Sequence, residues 1–231
     1  MSQGRPAAAP PTSGVVLLER AVAYTLGSLQ LVTPEALWRP TPCQGWDLLA
    51  LLHHLEDSLT ALQEAVDRAH VAVPPLGADQ PPLGTDQPPP PPTVFAALGV
   101  GDPGPAETAG GREAAGAVEL VARLRDQACH LLGSWISEDR REPISIGGRT
   151  LPASVLTSTG AIEIAVHGWD VASACGQRRP IPPRLAQELL VLASLLVRRA
   201  DRPARFAPPL RPAPQATPSD HLLAFLGRHP D

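Results

Sequence analysis

The sequence predicts an all-α protein: an up-down-up-down four-helix bundle with a proline-rich inserted loop and an extended C-terminal tail. Apolar residues recur at steps of three and four along several long segments, which is the period of one helix face. Most of the 29 prolines lie outside these segments, near residues 6–11, 74–105 and 203–218. Long amphipathic segments separated in this way are typical of a helical bundle.

Composition narrows the possible partners and compartment. A net charge of -4 with no long basic run argues against a nucleic-acid or membrane-surface partner. No apolar stretch approaches the roughly 20 residues that cross a bilayer, and residues 1–11 lack the apolar centre of a secretion signal. Three widely spaced cysteines fit no disulfide framework. We therefore expect a cytoplasmic protein with reduced thiols.

The first two helices follow from the apolar spacing. Val15 to Leu29 places apolar residues on one face, and prolines at residues 34, 40 and 42 then forbid a continuing helix. Asp47 is a good N-cap for a second helix, whose leucine stripe continues to about Arg68.

The segment 70–111 contains two similar heptapeptides, PPLGADQ and PPLGTDQ, followed by a run of five prolines. Such a composition cannot bury enough apolar surface to order itself, so we interpret the segment as a flexible insertion between two helices. The expected organisation is a disordered stretch at 1–13, a bundle at 14–200 that contains this insertion, and an extended tail at 201–231.

The later elements are assigned in the same way. A third helix is predicted over 113–136 and a short hairpin or turn over 145–151, around two glycines. A fourth helix is predicted over 152–174 with Gly176 as its stop, and a fifth over 183–200. Within the tail, 219–226 can form one short helix that ends at Gly227.

One pair of residues on the fourth helix suggests a metal site. Glu163 and His167 are four residues apart, so their side chains lie one turn apart on the same face and can bind one ion. On the second helix His54 lies on the flank of the leucine stripe, while His53 lies further round. Two imidazoles and a carboxylate form a known zinc ligand set. The alternative is a solvated Glu-His pair and a hydrogen-bonded core histidine.

Three short motifs then carry a resemblance to a known family. They are TPCQGWD at 41–47, LLHHL at 51–55 and EIAVHGWD at 163–170. Together they resemble the metal-binding domain of the mycothiol-dependent maleylpyruvate isomerase family, within the DinB/YfiT-like group of helical metalloproteins. The resemblance covers residues 14–69 and 112–176. The stretch 206–228 resembles the tail of actinobacterial proteins described only as metal-binding.

The resemblance implies a site and a class of chemistry. It implies that His54, which matches when counted from Cys43, joins Glu163 and His167 as ligands of a divalent ion, most simply Zn²⁺. It also implies, more distantly, a small thiol such as mycothiol as co-substrate. We expect no counterpart of the isomerase's separate C-terminal domain, and the insertion at 70–111 is a second difference. Isomerisation of maleylpyruvate itself is therefore not expected.

Three neighbouring residues are further candidates for the surroundings of the metal site. Trp46 and Trp169 flank the motifs and can wall a metal pocket, or serve as packing anchors. Asp170, three residues after His167, can orient a histidine nitrogen or pair with an arginine. No histidine or aspartate lies near Cys43 at a spacing that alone would make it an activating base. We therefore expect Cys43 to pack within the proline turn.

Two functions of different kinds remain open on the sequence alone. In the first, the chain is a metal-dependent thiol transferase or isomerase that presents a thiolate to an unidentified small electrophile. In the second, the ion joins two helices without catalysis and the proline-rich insertion binds a partner. Three protein ligands and one exchangeable position favour the enzyme, whereas a fourth protein ligand favours the structural module.

Overall fold

A computed structural model describes residues 13–71, 113–137, 143–146, 149–199, 202 and 207–230. The described chain is mostly helical, which confirms the predicted fold class. Its helices are α1 (Gly14–Leu29), α2 (Leu48–Arg68), α3 (Glu113–Ser137), α4 (Ala153–Ala174), α5 (Pro183–Leu196) and α6 (Pro218–Phe225), with a 3₁₀ turn at Pro34–Ala36. The predicted disordered N-terminus and most of the predicted insertion lie outside the described residues.

Helices α1 to α4 form the bundle. Helix α4 packs against α1 and α2, and α3 packs against α2 and α1 on the other side, so the four helices close into a ring. Every residue from Leu156 to Ala172 is buried, which makes α4 the central helix. A helix that is apolar all round belongs in an interior, and this explains why Glu163 and His167 are shielded from water.

Local sequence explains where the helices begin and end. Asp47 caps α2 as predicted, because its carboxylate accepts a hydrogen bond from the backbone N–H of Ala50 at 2.9 Å. Pro152 is the N-cap of α4 rather than part of its first turn. The predicted fifth helix was too long at its C-terminus, since Val197 has an extended backbone and α5 ends at Leu196.

A small three-stranded sheet lies where α2 ends and α4 begins. Strands β2 (Ile144–Ile146) and β3 (Arg149–Leu151) pair antiparallel, as the predicted hairpin requires. Strand β1 (His70–Val71) pairs parallel with β2, although we expected the insertion to begin at residue 70. A two-residue strand has too little pattern to be recognised in a sequence.

The C-terminal segment packs back on the bundle. Helix α6 begins with a capping box between Thr217 and Asp220 and packs on α5. Gly227 then takes a positive φ of 81°, and the backbone N–H of Arg228 bonds to the carbonyl of Leu223 at 2.9 Å. This turn directs the Arg228 side chain into the interior.

Among the residues that the structure describes, no helix has the length and apolar character needed to cross a membrane.

Candidate metal centre

The structure brings His54, Glu163 and His167 together between α2 and α4. The Nε2 atoms of His54 and His167 lie 3.0 Å and 3.1 Å from the same Glu163 carboxylate oxygen, Oε1. The three residues are buried, with exposed fractions of 4%, 3% and 1% respectively. One ligand atom from each lies within 4.8 Å of the others, which is a spacing suited to a single ion.

Close packing of α2 on α4 positions this cluster. Gly160 of α4 leaves room for Leu62, whose side-chain carbons would lie 2.9 Å from a Cβ at residue 160. Three residues beyond Gly160, Glu163 faces α2 at the height of His54, and His167 follows one turn later. The neighbouring His53, in contrast, is partly exposed and lies 3.6 Å from Glu56.

Asp170 orients the His167 ring through Nδ1, the ring nitrogen that does not contact Glu163. Its Oδ2 lies 2.9 Å from Nδ1 of His167. An ionised carboxylate only accepts hydrogen bonds, so Nδ1 carries the proton and donates it. The remaining nitrogen, Nε2, faces Glu163 and His54. A ligand histidine whose other nitrogen donates to a carboxylate is the usual arrangement in metalloproteins.

Two further residues, Arg228 and Cys43, contact Asp170, and the sequence indicated neither contact. Arg228 donates from Nε to Asp170 Oδ1 at 3.0 Å and from Nη2 to Oδ2 at 2.9 Å. The Cys43 thiol donates to Asp170 Oδ2 at 3.2 Å and lies 3.8 Å from Nδ1 of His167. Cys43 does pack below the proline turn as expected, but it packs against the polar cluster.

The charges of the cluster are strongly coupled. Burial alone would raise the pKa of Glu163, but the charge of His167 and hydrogen bonds from both histidines outweigh it and lower the pKa. Burial would likewise lower the pKa of His167, yet Glu163 and the bond to Asp170 raise it well above its usual value. Burial opposes ionisation of Asp170 too, but Arg228 and His167 lower its pKa to about 2.

Cys43 is held as a neutral thiol. Burial and, secondly, the charge of Asp170 raise its pKa, against a smaller opposing effect of Arg228. A thiol must lose its proton to act as a nucleophile, so this environment does not activate Cys43.

A divalent cation fits these residues. The buried cluster holds two carboxylates, Glu163 and Asp170, near one permanent cation, Arg228. The second positive charge that balances them is supplied by a protonated His167 or by a metal ion that takes the place of that proton. Two imidazole nitrogens and a carboxylate oxygen are donors that zinc accepts. The other nitrogen of His54, Nδ1, is buried and has no hydrogen-bond partner among the described residues, so His54 lacks the support that Asp170 gives to His167.

The remaining predicted site residues lie in different places. The ring of Trp46 packs edge-on against that of His54, with centroids 5.1 Å apart, and so covers this candidate ligand. Trp169 lies elsewhere, in the lining of a cavity of about 290 Å³ with Ser173, Arg179 and Asp220. Trp169 is two positions after His167, which turns its side chain to another face of α4.

The fold and the cluster together define a class of protein: a helical bundle in which α2 and α4 hold a buried set of two histidines and one glutamate. The chain matches the family described as the mycothiol maleylpyruvate isomerase N-terminal domain over residues 18–172. Because this match covers more than half of the chain, the protein belongs to that family.

The individual proteins that the chain resembles match it over only part of their length, or at low sequence identity. Two proteins of Mycobacterium tuberculosis, from strains CDC 1551 and H37Rv and both described as uncharacterized, are 36% identical over 80 residues. That match covers 34% of this chain and 44% of each relative, so it spans less than half of their length. A crystal structure of the mycothiol-dependent maleylpyruvate isomerase aligns with 18% identity and a TM-score of 0.45, over 77% of this chain and 66% of that one.

Proposed function

We propose that this protein binds one divalent metal ion, most simply zinc, through His54, Glu163 and His167. We further propose that the ion holds a small thiol, with mycothiol as the first candidate, for addition to or transfer onto a small electrophile. The observation that carries the metal assignment is the convergence of both Nε2 atoms on Glu163 Oε1, at 3.0 Å and 3.1 Å. The family name supports the choice of thiol.

The chain's own residues would prepare the site in three ways. Asp170 holds the proton on Nδ1 of His167, so Nε2, which contacts Glu163, is the nitrogen that would bind a metal in place of a proton. Trp46 covers the ring of His54 and limits access by water. Burial of all three ligands strengthens electrostatic interactions within the site. A metal bound there would supply a Lewis acid that lowers the pKa of a thiol.

The first test is metal content. Protein purified without chelators or a histidine tag is expected to contain about one divalent ion per chain, measured by elemental mass spectrometry. A chain that remains free of metal after incubation with zinc would overturn the proposal.

The second test addresses the thiol. Cobalt-loaded protein titrated with mycothiol is expected to gain a thiolate-to-metal absorption band, because a thiolate enters the coordination sphere of the ion. The S-methylated thiol is the matched control, since it cannot form a thiolate. A spectrum that mycothiol leaves unchanged would contradict the thiol part of the proposal while leaving the metal part intact.

The depth of burial favours a second candidate, a structural ion that joins α2 to α4 without catalysis. The ligand side chains are only 5%, 3% and 2% exposed, which restricts access for a co-substrate. Both candidates predict that removing the metal lowers Tm, since an ion at about 100 times its Kd stabilises the fold by about 2.7 kcal/mol. Calorimetry of metal-free and reloaded protein measures this, and only the thiol titration separates the two candidates.

A further inference from the structure

The C-terminal segment reaches the candidate metal centre through one side chain, that of Arg228. This residue lies 58 positions after Asp170 and outside the region 18–172 that the family match covers. It is nonetheless 9% exposed, whereas arginine is normally a surface residue. The removal of a guanidinium from water is unfavourable unless strong hydrogen-bond partners compensate for it. The contacts of Arg228 therefore indicate its role.

Those contacts converge on Asp170. Nε donates to Oδ1 at 3.0 Å and Nη2 donates to Oδ2 at 2.9 Å, which is a two-point contact between a fork and a carboxylate. The same Nη2 lies 3.6 Å from the Cys43 sulfur. Asp170 is completely buried and its Oδ2 also accepts the proton of His167 Nδ1. Arg228 therefore fixes the orientation of the carboxylate through both of its oxygens, whereas His167 contacts only Oδ2.

A second metal ion is a poor alternative explanation for this polar cluster. Cys43, His167 and Asp170 have the spacing of a second ligand group. The guanidinium of Arg228, however, already contacts two of these three residues. A divalent ion there would meet a permanent positive charge at short range.

We propose that Arg228 is a positioning residue for the metal centre: its two-point contact fixes Asp170, which in turn holds His167 with Nε2 directed at the ion. Gly227 makes this possible, because its positive φ turns the chain inward after α6. The C-terminal segment thereby completes a site whose ligands all lie on α2 and α4. The inference rests on the proposed metal binding, and it assigns a function to a segment beyond the matched domain.

The test compares two arginines of the same segment. Arg228→Met removes the guanidinium group, and with it the two-point contact, but keeps an unbranched apolar side chain. Arg202→Met is the matched control, because Arg202 donates to the carbonyls of Ala207 and Phe225 and packs over the Phe225 ring. Zinc affinity is measured by competition with a chromophoric chelator. We expect about a 10- to 100-fold loss in Arg228→Met, as for other residues that support ligands, and none in Arg202→Met.

Two further variants make the result specific. Asp170→Asn is expected to lose a similar factor, and adding Arg228→Met to it should cost nothing more, because Arg228 acts through Asp170. Arg228→Lys keeps the charge but not the fork, so it too should bind zinc measurably less well. Wild-type affinity in Arg228→Met or Arg228→Lys, or additive losses in the double variant, would overturn the inference.

A metal-free measurement separates this inference from the proposed function. In proton NMR, the Nδ1 proton of His167 is expected as a downfield, slowly exchanging resonance that disappears in His167→Gln. It should exchange faster in Arg228→Met and be unchanged in Arg202→Met. If the wild-type protein binds no zinc, the proposed function is contradicted but the positioning role is not. If the His167 resonance in Arg228→Met is the same as in the wild type, the positioning role is contradicted.

Discussion

His54→Ala is expected to lower the metal affinity by on the order of 100-fold or more, since even the loss of a residue that only supports a ligand costs about 10- to 100-fold. The reason is geometric. His54 is the only one of the three candidate ligands on α2, and its Nε2 lies 3.0 Å from Glu163 Oε1. Without it, Glu163 and His167 remain as two ligands on a single helix. Elemental analysis and chelator competition measure the loss.

The adjacent histidine provides the control. His53→Ala changes the same residue type one position earlier, but the His53 side chain is 44% exposed and interacts with Glu56 at the surface. This variant should therefore keep its metal and its affinity. Wild-type metal affinity in His54→Ala, or loss of metal from His53→Ala, would show that the ion is bound elsewhere.

Helix patterns predicted the part of the site that lies on α2 and α4. Glu163 and His167 are neighbours because any helix brings residues i and i+4 together, and Asp170 follows from the spacing of three. His54 could be preferred over His53 from the position of the leucine stripe alone. The structure places all four of these residues in one buried group. Their metal binding remains a prediction for the experiments above.

The contacts of Cys43 and Arg228 with Asp170 could not be predicted from helix patterns. Cys43 lies 127 positions before Asp170, and Arg228 lies 58 positions after it. No helical or strand period connects such distances, so only the tertiary fold brings them together. One signal was present: the acidic Asp170 stands within an apolar helix and must have a partner when buried. The sequence contains 19 basic residues and does not indicate which one.

The burial pattern of α3 accounts for the position of one cysteine. As a small apolar residue within a helix, Cys129 would be expected in the core, but the structure places it at the surface. Helix α3 buries only one stripe, which includes Leu124, Ala128 and Leu131. Cys129 follows Ala128 directly and therefore lies about 100° round the helix, outside that stripe.

Gly168→Ala is expected to destabilise the fold by about 1–3 kcal/mol or more, because α1 and α4 touch at this position. A Cβ at residue 168 would lie 2.3 Å from Thr25 Oγ1 and 3.1 Å from the Thr25 Cα. Rotating the hydroxyl relieves only the first clash and breaks its 2.7 Å hydrogen bond to the Ile164 carbonyl. The second clash involves backbone, so the two helices must separate. Urea unfolding of metal-free protein measures the change.

Gly133→Ala is the matched control for this substitution. Gly133 lies in α3, and a Cβ there meets nothing within 4 Å. The same change should stabilise the protein by about 0.5–1 kcal/mol, because alanine loses less backbone entropy in a helix than glycine does. Opposite signs for the two variants would establish close helix contact as the cause. Equal effects would instead mean that α1 and α4 can move apart at little cost, and that the position of His167, next to Gly168, is not fixed by their packing.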